Sequence, residues 1–176
     1  MKDRIVRRYF YLFLLLTLLS GCATTRPKPI TPELLKKGVY KSQWTLSGSA
    51  TLTNGVFRER FNPDSKTEIA ILLSEHYAIG DLNGDGIDDA AVVLISTPGG
   101  SGVFYDLAVV ILKEGLPYHA DSRNLGDRIA LRSVKIDSGL IRVEMVVQGP
   151  QDPMCCPTVA VTRTYRMSQD RLMPIN

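Results

Sequence analysis

Two short apolar runs constrain the fold of this chain more than any other feature. One extends from Ala90 to Ile95 and the other from Leu107 to Leu112, and neither alternates with polar residues. Both are shorter than a typical helix and rich in β-branched side chains, which favour extended backbone. We therefore interpret both as strands that are buried on both faces of a sheet. The Gly-rich segment from Pro98 to Gly102 predicts a flexible hairpin loop between them.

Other segments alternate apolar and polar residues with a period of two, which is typical of strands with one buried face. The alternation slips near Arg132 and Ser133, which predicts a β-bulge. The sequence from Asp137 to Gly139 predicts a turn. We expect a mainly β structure: a single antiparallel domain over residues 31–176, built as a sandwich, as a barrel or as a sheet with one short N-terminal helix.

That helix is predicted at the start of the domain. Thr31 can cap it, Pro32 suits its first position and Gly38 suits its end. A helix of this length needs packing against the rest of the domain to be stable.

Asn54-Gly55 is a strong signal for a two-residue hairpin turn. Such a turn would pair Leu52 with Phe57. It would also place the apolar residues of both arms on one face, in agreement with the alternation. These residues are Ala50, Leu52, Phe57 and Phe61.

The N-terminus has the layout of an export signal. Its first eight residues include four bases and one acid, the run from Tyr9 to Leu19 is apolar apart from Thr17, and the small residues Ser20 and Gly21 precede Cys22. A basic start, an apolar core and a small-residue end are typical of secretory signal peptides. A membrane-spanning helix needs about 20 apolar residues, which is about twice the length of this run. We therefore predict a signal peptide over residues 1–21.

The sequence Leu-Ser-Gly-Cys from Leu19 to Cys22 resembles the lipobox of bacterial lipoproteins. The resemblance implies cleavage before Cys22 and a lipid on its sulfur, so that the chain is held to a membrane. Residues 22–30 would form a lipidated tether, since prolines keep such segments extended. The resemblance also implies the bacterial cell envelope as the location. Ala23 implies the outer membrane, facing the periplasm, in a Gram-negative cell.

Removal of the signal peptide would leave a chain without net charge. The signal carries four of the 21 basic residues and one of the 18 acidic residues, so the mature chain has 17 of each. No basic excess remains to attract the phosphates of a nucleic acid, and we expect no nucleic-acid partner.

The most specific chemical pattern is an acidic loop. Asp81, Asn83 and Asp85 stand at positions 1, 3 and 5 of a calcium-loop pattern, and Asp89 stands at position 9. Ile87 would add its backbone carbonyl at position 7. The sequence therefore predicts a structural calcium ion held by Asp81, Asn83, Asp85, Ile87 and Asp89.

This acidic loop is not an EF-hand, because Val92 takes position 12, where EF-hands carry Glu. It resembles the strand-flanked calcium loops of FG-GAP repeats and, more loosely, those of dockerin modules. The alternative is a polar turn without an ion, since Asn-Gly and Asp-Gly pairs also favour turns.

A pair of adjacent cysteines stands in a proline-rich segment. Cys155 and Cys156 are the only cysteines left once Cys22 carries lipid, and exported compartments are oxidising. We predict a vicinal disulfide between them, although adjacent Cα atoms lie about 3.8 Å apart, closer than in most disulfides. The alternatives are two free buried thiols and a metal- or redox-responsive module that also uses Met154.

Catalytic signatures are missing from the sequence. His76 and His119 are its only histidines, and we place His119 on a surface turn. The chain has neither a His-Glu-x-x-His motif nor a Gly-x-Ser-x-Gly motif. We therefore predict no enzyme activity and no catalytic residue. A hydrolase whose carboxylates the sequence does not place is the remaining alternative.

The domain from about Val39 to Met167 also resembles a set of bacterial lipoproteins. This resemblance supports the domain boundary and the envelope location, and it implies no mechanism. Our leading hypothesis is a non-enzymatic binding or structural module whose partner is an envelope protein or polysaccharide. The motifs that carry the resemblance are Gly80–Gly86, Gly99–Gly102, Leu125–Arg128 and Asp152–Pro157.

Overall fold

The computed structural model describes residues 28–175. The predicted signal peptide, Cys22 and most of the predicted tether lie outside the described residues. Between residues 28 and 175, no helix is long and apolar enough to cross a membrane.

The described part of the chain consists of strands and one short helix, which confirms the expected mainly β, antiparallel domain. The helix α1 spans Pro32–Leu35. The strands are β1 (Val39–Lys41), β2 (Ser49–Thr51), β3 (Val56–Arg60), β4 (Glu68–Gly80), β5 (Asp89–Thr97), β6 (Phe104–Lys113), β7 (Leu116–Asp127), β8 (Ala130–Asp137), β9 (Leu140–Val147), β10 (Val159–Ser168) and β11 (Arg171–Ile175).

These strands form three antiparallel sheets. The largest has the order β3-β4-β5-β6-β7, the second has the order β11-β10-β9-β8, and β1 pairs with β2 alone. The hairpin predicted between the two apolar runs is confirmed, since β5 pairs with β6 from Ala90–Val110 to Ser96–Phe104. Both larger sheets are meanders, because neighbouring strands follow one another in the chain.

The five-stranded sheet is buried on both faces at its centre. Val93 and Val109 lie in one core cluster with Ile141 of the four-stranded sheet. Val92 and Val110 lie in a second cluster with apolar residues of α1, β1 and β2. We call this second covering, which consists of residues 30–52, the N-terminal layer. Because both faces are covered, the two central runs carry no polar alternation.

Side chains join the two larger sheets at one edge, where β7 lies next to β11. The Arg123 Nε donates a hydrogen bond to the carbonyl oxygen of Leu172 at 2.8 Å. The backbone amide of Leu172 donates to Asp121 Oδ2, also at 2.8 Å. These bonds satisfy backbone groups of an edge strand that no neighbouring strand pairs. The described residues therefore form two larger antiparallel sheets that share one core cluster, with the N-terminal layer on the other face of the five-stranded sheet.

The hairpin predicted at Asn54-Gly55 is right in its turn and wrong in its strands. Asn54 and Gly55 take φ angles of 51° and 83°, as a type I′ turn requires. Beyond the turn the two arms separate, because β2 pairs with β1 and β3 pairs with β4. Phe57 lies opposite Ile71 instead of Leu52. The physical reason is that all 5 residues of β3 pair with β4, whereas β2 has only 3 residues.

Two smaller predictions can be compared with the structure. The predicted bulge is confirmed, since the pairing of β8 with β9 shifts between Leu131 and Ser133. The Thr31 side chain caps α1 as expected. The helix ends at Leu35, earlier than the expected end near Gly38.

The sequence analysis did not predict β1, β4, β7 and β11 as strands. β7 contains Pro117 and a polar stretch from Asp121 to Asn124, so its composition is typical of a loop. It is nevertheless extended because its backbone pairs with β6 from Leu116 to Asp127.

Candidate functional site

A polar cleft of about 740 Å³ opens where three parts of the fold meet. Its floor is the face of β5, β6 and β7 that is turned toward the N-terminal layer. The connection between β1 and β2 forms one wall, and the turn between β10 and β11 forms another. The lining residues are Lys41, Ser42, Gln43, Gly48, Leu94, Asp106, His119, Ala120, Asp121, Ser122, Asn124, Gln169, Asp170 and Arg171.

The pairing of β6 with β7 explains why polar side chains share the cleft floor. Asp106 pairs with Asn124, and Ala108 pairs with Ser122. Residues that pair across neighbouring strands point to the same face of a sheet. Asp106, Ser122 and Asn124 therefore extend from one face.

A bulge in β7 adds His119 to this face. The pairing shifts between Val109 and Val110, so that Ala120 has no partner and His119 lies opposite Val110. Without the shift, strict alternation would put Ala120 next to Ser122 on the floor. The bulge thus places the imidazole of His119 on the cleft floor where the methyl group of Ala120 would otherwise lie.

His119 is a fixed part of the floor, so the predicted surface turn is wrong. Its side chain lies within β7 and is 5% exposed. The Nδ1 atom accepts a hydrogen bond from the backbone amide of Lys41 at 2.6 Å. The Nε2 atom lies 2.7 Å from Ser122 Oγ and 3.2 Å from the carbonyl oxygen of Asp121. His119 therefore ties β1 to the floor of the cleft.

These contacts also determine what His119 can do chemically. Because Nδ1 accepts from Lys41, the proton of the neutral ring is on Nε2 and points toward Ser122. The ring has no free lone pair to take the hydroxyl proton of Ser122. Burial lowers the pKa of His119, which favours the neutral ring. In this arrangement His119 holds the backbone of Lys41 and the side chain of Ser122 in place.

Asp106 holds the wall of the cleft against its floor. This carboxylate is buried, and its Oδ2 accepts a hydrogen bond from Trp44 Nε1 at 2.8 Å. Its Oδ1 accepts from Asn124 Nδ2 at 2.9 Å. The Trp44 ring stacks on Phe104, with ring centroids 4.1 Å apart. The connection between β1 and β2 is therefore held in place by a polar and an aromatic contact.

The cleft mixes positive and negative groups. Lys41 and Arg171 contribute cations, and Asp106, Asp121 and Asp170 contribute carboxylates. Among these, the Asp170 carboxylate forms an ion pair outward with a lysine of β6 at 2.5 Å. The lining therefore offers both hydrogen-bond donors and acceptors without a large excess of either charge.

The acidic loop lies away from this cleft, and its side chains bond to the loop itself. Asp81 accepts backbone hydrogen bonds from Gly84 at 2.7 Å and from Gly86 at 2.9 Å. Asp85 Oδ2 accepts a hydrogen bond from Asn83 Nδ2 at 2.9 Å. The hydrogen bonds from Gly86 and Gly84 lower the pKa of Asp81. The loop thus holds the side-chain oxygen atoms of Asp81, Asn83 and Asp85 close together.

Asp89, the ninth position of the loop, plays a different part. It is fully buried, and its Oδ2 accepts from the amide of Leu82 while its Oδ1 accepts from the amide of Leu112, both at 3.1 Å. The acid therefore joins the loop to the end of β6. Burial raises the pKa of Asp89, and the two amides oppose that rise. Of the predicted calcium ligands, Asn83 and Asp85 are exposed, Asp81 and Ile87 are half-buried, and Asp89 is buried.

Between residues 28 and 175, no group of three or more His, Cys, Asp or Glu side chains is arranged to hold a metal ion. The Asn83 side chain and the backbone carbonyl of Ile87 are not among these four kinds of group, so this finding does not cover them. Calcium binding by the acidic loop stays a prediction.

The cysteine segment also lies away from the cleft. Cys155 and Cys156 are joined as a vicinal disulfide with Cα atoms 3.8 Å apart, as the sequence predicts. Both residues and Met154 are exposed on the connection between β9 and β10. The alternative of buried thiols therefore does not fit the described structure.

Sequence reasoning missed the cleft residues Asp106, His119, Ser122 and Asn124. The available signal was the polar stretch within β7, from which the sequence analysis predicted no site. Comparisons of the chain with protein-family models, with curated proteins and with solved structures find no match.

Proposed function

We propose that this chain is a membrane-anchored lipoprotein of the cell envelope whose β domain is a non-enzymatic binding module. The observation that carries the proposal is the polar cleft, whose floor and wall are held together by His119 and Asp106. Side chains that are fixed before a ligand arrives lower the entropy cost of binding. A lipid on Cys22 and a tether over residues 22–30 would keep this cleft near the membrane.

An envelope polysaccharide is the ligand that suits the cleft best. Lys41 and Arg171 disfavour a strongly basic ligand, and Asp106 and Asp121 disfavour a strongly acidic one. Each sugar hydroxyl both donates and accepts hydrogen bonds, so it can use both kinds of group. The large, open and polar cleft also has room for more than one sugar ring.

The hydrogen bonds of the floor favour binding over hydrolysis. His119 directs its Nε2 proton toward Ser122 and is not set to remove a proton from it. Both oxygens of Asp106 already accept N–H groups of Trp44 and Asn124. Each of these groups acts as a support for the cleft.

We further propose that the acidic loop binds calcium as a structural ion. Asp81, Asn83 and Asp85 would supply side-chain oxygens, and Ile87 would supply its carbonyl. Each carboxylate oxygen has two lone pairs, so a bond to a backbone amide leaves one for a cation. Asp89 would support the site indirectly, because it joins the loop to β6.

Binding can be tested with the mature lipoprotein in detergent micelles and purified peptidoglycan sacculi as the polysaccharide probe. The test variant combines Gln43→Ala with Arg171→Ala, two exposed lining residues. We expect the wild type to sediment with sacculi and the variant to bind about tenfold more weakly. Arg132→Ala, on the outside of β8, is the matched control and should bind normally.

Equal binding by the wild type and the cleft variant would overturn the cleft as the binding site. Soluble sugar fragments released from the sacculi by the wild type would overturn the non-enzymatic part. Mass spectrometry of the supernatant measures this release.

Anchoring is tested separately with Cys22→Ala. Without the thiol that accepts the lipid, the chain should accumulate as an uncleaved or unanchored precursor. Membrane fractionation and mass spectrometry of the mature N-terminus measure the outcome. An unmodified Cys22 at the N-terminus of the wild-type protein would contradict the lipoprotein proposal.

A further inference from the structure

The connection between β9 and β10 presents three sulfur atoms to solvent. Cys155 and Cys156 are exposed, and Met154 is 63% exposed. None of the three lines the polar cleft. The sequence places prolines before and after the pair, which limit the conformations of the segment. The proposed binding function does not use these residues.

Hydrogen bonds of Asp152 join the two ends of this connection without the disulfide. Asp152 Oδ2 accepts hydrogen bonds from the backbone amides of Gly149 at 2.7 Å and Thr158 at 2.8 Å. The Thr158 hydroxyl donates to Asp152 Oδ1 at 2.9 Å. One carboxylate therefore joins the two ends of the connection. The amide of Cys156 adds a turn bond to the carbonyl of Pro153 at 3.0 Å.

The disulfide itself contributes little to the stability of the fold. A cross-link stabilises a protein mainly by closing a chain loop in the unfolded state, and the gain grows with loop length. Cys155 and Cys156 are adjacent, so their bond closes no such loop. Buried structural disulfides are also protected from thiols, and this one is exposed.

We propose that the Cys155–Cys156 pair is a thiol–disulfide exchange site whose reaction partner is an exported dithiol reductant. A thiolate of the partner attacks one Sγ, and the bond between Cys155 and Cys156 breaks. A mixed disulfide forms, and the released cysteine thiolate takes up a proton. The second thiol of the partner then attacks the mixed disulfide and releases the other cysteine.

The balance of this exchange is a transfer of two electrons and two protons. The partner dithiol is oxidised to a disulfide, and the cysteine pair is reduced to two thiols. Access to the sulfurs needs no opening of the fold, because both cysteines are exposed. The hydrogen bonds of Asp152 keep the connection in place in both redox states.

The test uses the mature lipoprotein, purified without reductant. Dithiothreitol is added at neutral pH, samples are quenched with iodoacetamide, and intact mass counts the alkylated thiols. We expect two alkylations per chain, at a rate within about tenfold of the rate for the denatured protein. The melting temperature of the reduced protein should equal that of the oxidised protein.

Three results would overturn the proposal. They are native-state reduction more than about 1,000-fold slower than in denaturant, a clear fall of the melting temperature on reduction, and two alkylatable thiols in the protein as purified.

A trapping experiment tests the partner class. A thioredoxin whose resolving cysteine is replaced by serine should form a mixed disulfide with the oxidised wild type. The combined variant Cys155→Ser and Cys156→Ser is the control and should form none. Failure of the wild type to form the adduct would also count against the proposal. Because these variants leave the cleft intact, the result is independent of polysaccharide binding.

Discussion

The acidic loop between β4 and β5 and the cysteine connection between β9 and β10 are held by the same kind of contact in two different environments. Asp89 at the end of the acidic loop and Asp152 in the cysteine connection each accept hydrogen bonds from two backbone amides. Asp89 is fully buried and reaches Leu112 at the end of β6. Asp152 is half-buried, and its described partners all belong to its own connection.

This difference shows that the surroundings of a carboxylate decide what it stabilises. Burial raises the pKa of Asp89, so its charged form is costly. Removal of the side chain would leave two amides buried without an acceptor and without water. Hydrogen bonds, first among them that of Gly149, lower the pKa of Asp152, so its charge is favourable. The first aspartate supports the whole domain, and the second supports one connection.

The largest effect should come from Asp89→Ala. The substitution leaves the amides of Leu82 and Leu112 buried without acceptors. We expect a loss of about 2–4 kcal/mol in the free energy of unfolding, measured by urea denaturation. Asp88→Ala, at the exposed neighbouring position, is the control and should change stability by less than about 0.5 kcal/mol. Similar losses for both variants would show that burial does not distinguish them.

Calcium should produce a smaller effect on the same loop. If the dissociation constant is that of weak extracellular modules, several millimolar calcium should stabilise the fold by about 1–2 kcal/mol. The combined variant Asp81→Ala and Asp85→Ala should lose this response, and Asp152→Ala should keep it. Melting curves with calcium and with a chelator measure both. Identical wild-type curves would favour the turn without an ion.

The smallest effect should come from Asp152→Asn, and its pH dependence should be opposite to that of Asp89→Asn. The folded-state pKa of Asp152 lies below the ordinary 3.8, so its stabilisation is complete above that pH and is lost as the pH falls through the folded value. The folded-state pKa of Asp89 lies above 3.8, so its contribution grows on acidification toward 3.8.

The difference in stability between wild type and Asp152→Asn should therefore shrink in acid, and that for Asp89→Asn should widen. Urea denaturation at pH 7, at pH 4.5 and at pH 3 would show both trends. Parallel trends for the two variants would contradict the contrast between the loops.

Local chemistry was sufficient to predict several parts of this protein. The runs around Val93 and Val109 are strands because β-branched side chains favour extended backbone and both faces are covered. The turn at Asn54-Gly55 forms because both residues tolerate positive φ. The adjacency of Cys155 and Cys156 required no tertiary information. Each of these signals depends on residues that are neighbours in the chain.

Only the tertiary structure decided which strands pair and which polar groups meet. β3 pairs with β4, which offers a longer edge than β2 does. The residues of the turn carry no information about which of the two strands β3 will pair with. His119 enters the cleft floor through a bulge defined by the register with β6. Asp89 is an anchor because β6 ends beside it at Leu112. Such contacts join distant parts of the chain, so burial and pairing decide them, and residue type alone does not.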